Sequence, residues 1–138
     1  MTLKKEDRDI LVTLRMQRAK ELLVETKELM AMGYWRTIAN RLYYACFHAV
    51  SALLLKNGYT AHTHSGVITQ FGLHFVTKGI ISMEQGKFYR NLFEKRQTGD
   101  YDVWISIDEQ DIIPLLEPAQ KFIEDIENLI INTPKDMT

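Results

Sequence analysis

The stretch TIANRLYYACFHAVSALLLKNG, residues 37–58, decides the fold. Its apolar residues Ile38, Ala39, Tyr43, Cys46, Phe47, Val50, Leu53 and Leu54 cover most of a helical surface, which places this helix at the centre of its domain. One sector is polar. Thr37, Asn40, Arg41, Tyr44, His48 and Ser51 fill roughly 100° of the circumference, with Arg41 and His48 about 20° apart on one line. A buried, unpaired guanidinium is strongly unfavourable, so the line must face a cleft, a partner subunit or an internal hydrogen-bond network.

The chemistry allows two readings. A histidine near its titration point moves protons at neutral pH, and an arginine holds a phosphate oxygen or stabilises transition-state charge. Together they suit metal-independent RNA cleavage, in which a base activates the 2'-hydroxyl and a cation steadies the phosphorane. In the other reading Arg41 pairs with a carboxylate, His48 donates to a carbonyl, and both only fix helix packing.

Around this helix the pattern is helical throughout. The first segment runs from about residue 3 to Met32 and stops at Gly33, with Leu11, Leu14, Leu22 and Leu29 expected on its buried face. Gly58 has the setting of a left-handed cap for the second helix. After YTAHTH, apolar Val67, Ile68, Phe71 and Phe75 recur at spacings of three and four, up to Gly79. The fourth helix opens with a capping-box pair, Ser82 and Gln85, and is expected to end at Gly99 before the turn GDYDVW. A second such pair, Ser106 and Glu109, opens the last helix, which Pro114 and Pro118 are expected to bend or delay. The expected fold is all-α, an up-down bundle of four to five helices forming a single domain over residues 1–138.

Of 138 residues, 46% are hydrophobic and 25% charged, the balance of a globular chain rather than a disordered one. The charged start MTLKKEDRDI is not a signal peptide, and no apolar run approaches the roughly 20 residues of a membrane span, so the expectation is a cytoplasmic protein without a membrane partner. The one cysteine, Cys46, reads as a small core hydrophobe. Net charge is −1, yet residues 1–105 carry 15 basic and 10 acidic residues against 2 and 8 in the remainder. This mildly basic body permits a phosphate-bearing partner.

Several separated motifs resemble one family. The stretch RAKELLVETKELMAMGYWRTIANRLYYACFHAVSALLLKNGYTAHTHSGVITQFG, with FEKRQTGDYDV after it, resembles the HEPN domain, in particular a small stand-alone prokaryotic subgroup with the pattern RxYYAxFHA, THSGV, RxxxDYD. The resemblance spans about Arg18 to Val103. It implies a helical bundle that homodimerises, often beside a minimal nucleotidyltransferase with which it forms a toxin and antitoxin pair. Active relatives are metal-independent ribonucleases with an arginine, four to six residues and a histidine, two copies meeting in a cleft across the dimer.

Arg41 and His48, with six residues between them, satisfy that spacing. In the ribonucleases the signature lies later, and the corresponding place here is RQTGDYD, where Arg96 matches the arginine and Asp100 and Tyr101 stand in place of the histidine. The resemblance therefore implies either chemistry drawn from two helices, with Arg41, His48, Arg96 and Asp100 in the cleft, or a cleft that only binds. Tyr44, His64 and Tyr101 would position or stack on an RNA or nucleotide ligand. If partner control attaches a nucleotide, an exposed tyrosine such as Tyr101 is the candidate acceptor.

AHTHSG adds an anion site, with His64, Ser65 and the Gly66 amide at a helix start, or alternatively a capping loop. His62 and His64 lack a carboxylate or thiolate nearby in sequence, so no metal is expected, and no Walker or Rossmann glycine pattern calls for a cofactor. Arg15 and Arg18 fall beside the apolar face of the first helix, flanking a groove or snorkelling.

Overall fold

The computed structural model describes residues 4–101 and 106–132. It contains five α-helices: α1 (Lys5–Met30), α2 (Trp35–Lys56), α3 (His64–Phe71), α4 (Met83–Tyr101) and α5 (Glu109–Asn132). No strand occurs among the described residues. A π-helical turn, Gly72–Val76, continues α3. This is the all-α bundle expected.

α2 is the centre. It packs against α1 along their length and against α4 and α5 on its other sides. Ile38, Leu42, Tyr43, Ala45, Cys46, Ala49 and Val50 have no solvent exposure. By length and composition α2 could also cross a membrane, contrary to the expectation that no such segment exists, but 67% of its most apolar window lies inside the bundle. Its apolar surface is core surface, covered by three helices of the same chain.

The seam of α1 differs from the expected one. Val12, Met16, Ala19, Leu22 and Thr26 are buried, whereas Leu11 and Leu14 are 37% and 53% exposed. The buried set steps by four, three, three and four, so the contact line follows spacing rather than residue size. Ala19 and Thr26 are small and let the helices approach closely. Thr26 satisfies its hydroxyl by donating to the Leu23 carbonyl at 2.6 Å.

The turns follow the sequence in most places. Gly33 and Gly58 have φ of 70° and 80°, a region costly to residues with a Cβ. The Gly58 amide donates to the Leu55 carbonyl and that of Tyr59 to Leu54, closing the end of α2. Ser82 caps α4 by accepting from the Gln85 amide at 3.1 Å. The Gln85 side chain does not close the box; it donates to Asp125 on α5 at 2.9 Å. A second tie to α5 is the Lys20–Glu127 ion pair from α1.

Two boundaries are corrected. α4 does not stop at Gly99 but continues through Asp100 and Tyr101, while Asp102 to Trp104 of the expected turn lie outside the described residues. Asp100 extends the helix by pairing with Arg96 one turn back. Gly99 instead lets Ile107 pack closely: a Cβ there would stand 3.0 Å from Ile107 Cδ1. At α5 the cap is Asp108, whose amide donates to Asp111 Oδ2 at 2.9 Å, while Ser106 only supports the Asp108 carboxylate. The helix then runs on through Pro114 and Pro118.

Candidate functional site

The polar line of α2 meets α4 in a connected network. The Arg96 Nε lies 3.0 Å from Asp100 Oδ2, and its second guanidinium nitrogen donates to the Tyr44 hydroxyl at 3.0 Å. Asn40 Nδ2 donates to the same Asp100 oxygen at 3.1 Å, and Arg41 donates to Asn40 Oδ1 at 3.3 Å. The Arg96 guanidinium also stands over the rings of Tyr44, Tyr43 and Tyr101 at 5.3, 5.7 and 5.7 Å. Its side chain is only 11% exposed. Arg96 is thus neutralised, hydrogen-bonded and held among aromatic faces, an arrangement that fixes α4 on α2.

Arg41 is different. It is half-buried, and among the described residues its only polar partner is the neutral amide of Asn40. At the rim of the network it therefore has no carboxylate partner among the described residues.

His48 does not join this cluster. It turns to α1, where Arg15 donates to its Nδ1 at 3.2 Å. Since guanidinium only donates, Nδ1 accepts and the ring hydrogen sits on Nε2. Burial, and then the charges of Arg15 and Arg18, push its pKa down to about 4, so the ring is neutral at pH 7. Arg15 also lies 5.7 Å over the Phe47 ring. Its own pKa is lowered by burial.

His64 also packs on Phe47, with ring centroids 4.8 Å apart. Its Nδ1 shares a hydrogen bond of 2.6 Å with the Tyr43 hydroxyl, and its pKa is lowered by burial and then by Arg96. The expected anion site of AHTHSG has part of its donors engaged. The Gly66 amide donates to Thr63 Oγ1 at 2.9 Å, which caps α3, and Ser65 shares a hydrogen bond with the same hydroxyl. Tyr101 is 73% exposed beside Arg96. Among the described residues no three His, Cys, Asp or Glu side chains converge as metal ligands would.

Of the residues singled out by sequence, the structure therefore joins Arg41, Tyr44, Arg96, Asp100 and Tyr101, with His64 behind Tyr43 and His48 apart on Arg15. Tyr43, apolar by its pattern, also carries the hydroxyl that bonds His64, and Asn40 and Arg15, which no motif assigns to a site, make the contacts of Arg41 and His48. The one signal for Arg15 was a charged residue beside an apolar face.

The profile of the HEPN domain matches residues 12–129. The chain belongs to the HEPN domain family. Among HEPN relatives, the "UPF0332 protein" of Thermotoga maritima is 40% identical over 83% of this chain and 86% of that protein. A Methanocaldococcus jannaschii protein carrying the name "Putative toxin MJ0605" is 31% identical over 81% of this chain and 83% of its own length. In structure, TT1696 from Thermus thermophilus superposes with a TM-score of 0.72 at 15% identity, covering 85% of this chain and 96% of that one, a likeness of fold.

Proposed function

We propose that this HEPN protein binds RNA or a nucleotide phosphate on the polar face of α2, as a homodimer with two such faces across a cleft. In this reading it is the toxin of a pair whose antitoxin is a minimal nucleotidyltransferase. The observation that carries the binding is Arg41, a half-buried guanidinium with no carboxylate partner among the described residues, joined through Asn40 and Asp100 to the network in which Arg96 meets Tyr44 and Tyr101. A cation without a carboxylate partner at the edge of a network that carries aromatic rings suits a phosphate backbone with bases stacked alongside. The name of the Methanocaldococcus relative supports the toxin role.

Metal-independent ribonuclease chemistry belongs to the same reading, with His48 as proton mover and the arginines as phosphate holders. A second reading, a non-catalytic binding module, is favoured by the Arg96–Asp100–Asn40–Tyr44 network, in which the charge of Arg96 already has a carboxylate partner within the chain.

The test is cleavage of labelled tRNA and messenger RNA in EDTA by wild type, His48→Ala, Arg41→Ala and Arg96→Ala, each first shown to be folded and dimeric. Cleavage that vanishes with His48 or Arg41 supports the nuclease. No cleavage by wild type, or equal cleavage by all four, transfers the reading to the binding module.

A further inference from the structure

The arginines near this face are not equally neutralised. Arg18 pairs with Glu21 at 3.2 Å and Glu25 at 3.5 Å, and Arg96 with Asp100 at 3.0 Å. Arg15 has no such partner: among the described residues its contacts are His48 Nδ1 and the Phe47 ring. A half-buried cation whose hydrogen-bond partner is a neutral imidazole is best completed by a ligand that brings the missing charge.

The donors available there are specific. Arg15 uses one of its five N–H groups on His48, and His48 presents its Nε2 hydrogen because Nδ1 is the acceptor. Arg18 contributes further positive charge to His48, with Glu21 and Glu25 bound to Arg18 rather than to Arg15. Phe47 contacts both His48 and His64, its centroid being 5.8 Å from one ring and 4.8 Å from the other. Such a set of donors, with no carboxylate on it, selects an anion with several oxygens.

We propose that Arg15 and His48 form a phosphate subsite between α1 and α2, apart from the Arg96 network, and that a docked phosphate draws the Arg15 donor off His48 Nδ1. The freed Nδ1 then accepts a proton while Nε2 keeps its own. Arg15 is thus a phosphate holder and, through His48, a positioning residue. The inference rests on the reading that this face binds RNA or nucleotide phosphate, and it identifies which residues grip a second phosphate.

The experiment titrates inorganic phosphate into the full ¹⁵N-labelled chain and follows the His48 ring nitrogens across pH, beside anisotropy of a labelled single-stranded RNA at several salt concentrations. In wild type, phosphate raises the His48 pKa by at least about one unit, as a nearby opposite charge does. Arg15→Gln loses that response, and Arg15→Lys, which keeps the charge, retains part of it. The RNA salt slope falls by about 0.7 in Arg15→Gln, the value for one phosphate contact on a single strand.

A response that is absent in wild type, or identical in wild type and Arg15→Gln, overturns the subsite. If RNA still binds wild type in that case, the reading of the face survives without it. If RNA does not bind but the Arg15-dependent phosphate response remains, the subsite stands as a small-anion site and the RNA reading falls.

Discussion

Arg96 and Asp100, one turn apart on α4, form an ion pair at 3.0 Å whose carboxylate also accepts from Asn40 and whose guanidinium also donates to Tyr44, both on α2. The pair therefore belongs to two helices at once. It couples the placement of α4 to the polar line of the core helix.

Removing either partner leaves the other charge poorly matched in a half-buried setting. Arg96→Ala and Asp100→Asn are each expected to destabilise the fold by about 1–3 kcal/mol. The double variant is expected to lose less than the sum, with a coupling of about 0.5–3 kcal/mol. Urea unfolding of the four species measures this, and strictly additive losses would mean that the pair is not coupled.

Arg41 provides the contrast. Among the described residues its one polar contact is a 3.3 Å bond to its chain neighbour, so Arg41→Ala is expected to change stability by no more than about 0.5 kcal/mol. RNA affinity should nevertheless fall, with the salt slope reduced by about 0.7. Paired melting and anisotropy measurements separate an effect on RNA binding from an effect on the fold at Arg41 and at Arg96. Equal RNA affinity in wild type and Arg41→Ala removes Arg41 from the ligand surface.

The pH dependence has a definite sign. The folded pKa of His48 is depressed to about 4, below the ordinary value of 6.5, so between these pH values the unfolded chain binds a proton that the folded chain does not. This histidine therefore supports the fold fully above pH 6.5, and its contribution is lost as pH falls towards 4. The lowered pKa of His64 acts in the same direction. Between pH 7 and pH 5 the melting temperature of wild type is expected to fall more than that of His48→Gln. Parallel curves for the two would show that His48 titrates normally.

Cys46 has no solvent exposure, and burial pushes its thiol pKa well up. Both effects suppress the thiolate that reacts. A thiol reagent is expected to leave the native chain unmodified and to label it fully in denaturant. Rapid native labelling would mean that α2 opens locally, without global unfolding.

The sequence by itself determined the helical class, the central position of α2 and the glycines that end helices, because these depend on local rules. Apolar coverage of 37–58 demands burial on nearly all sides, and Gly33 and Gly58 adopt positive φ, which residues with a side chain resist. The family pattern was legible too, since RLYYACFHA and THSGV are contiguous words. The partners of the polar residues were not. That Leu14 faces solvent while Ala19 is buried depends on where α1 crosses α2, not on the hydrophobicity of either residue. Arg41 and His48 share a line on one helix, yet Asn40 takes the first and Arg15 the second, 33 residues away in sequence. The Arg96–Asp100 pair meets Tyr44 and Asn40 because α4 lies against α2, and Asp100 gains its second partner, Asn40, only from that contact. Helical periodicity places a side chain on a face, but the charge balance of that face is set by the helices packed beside it.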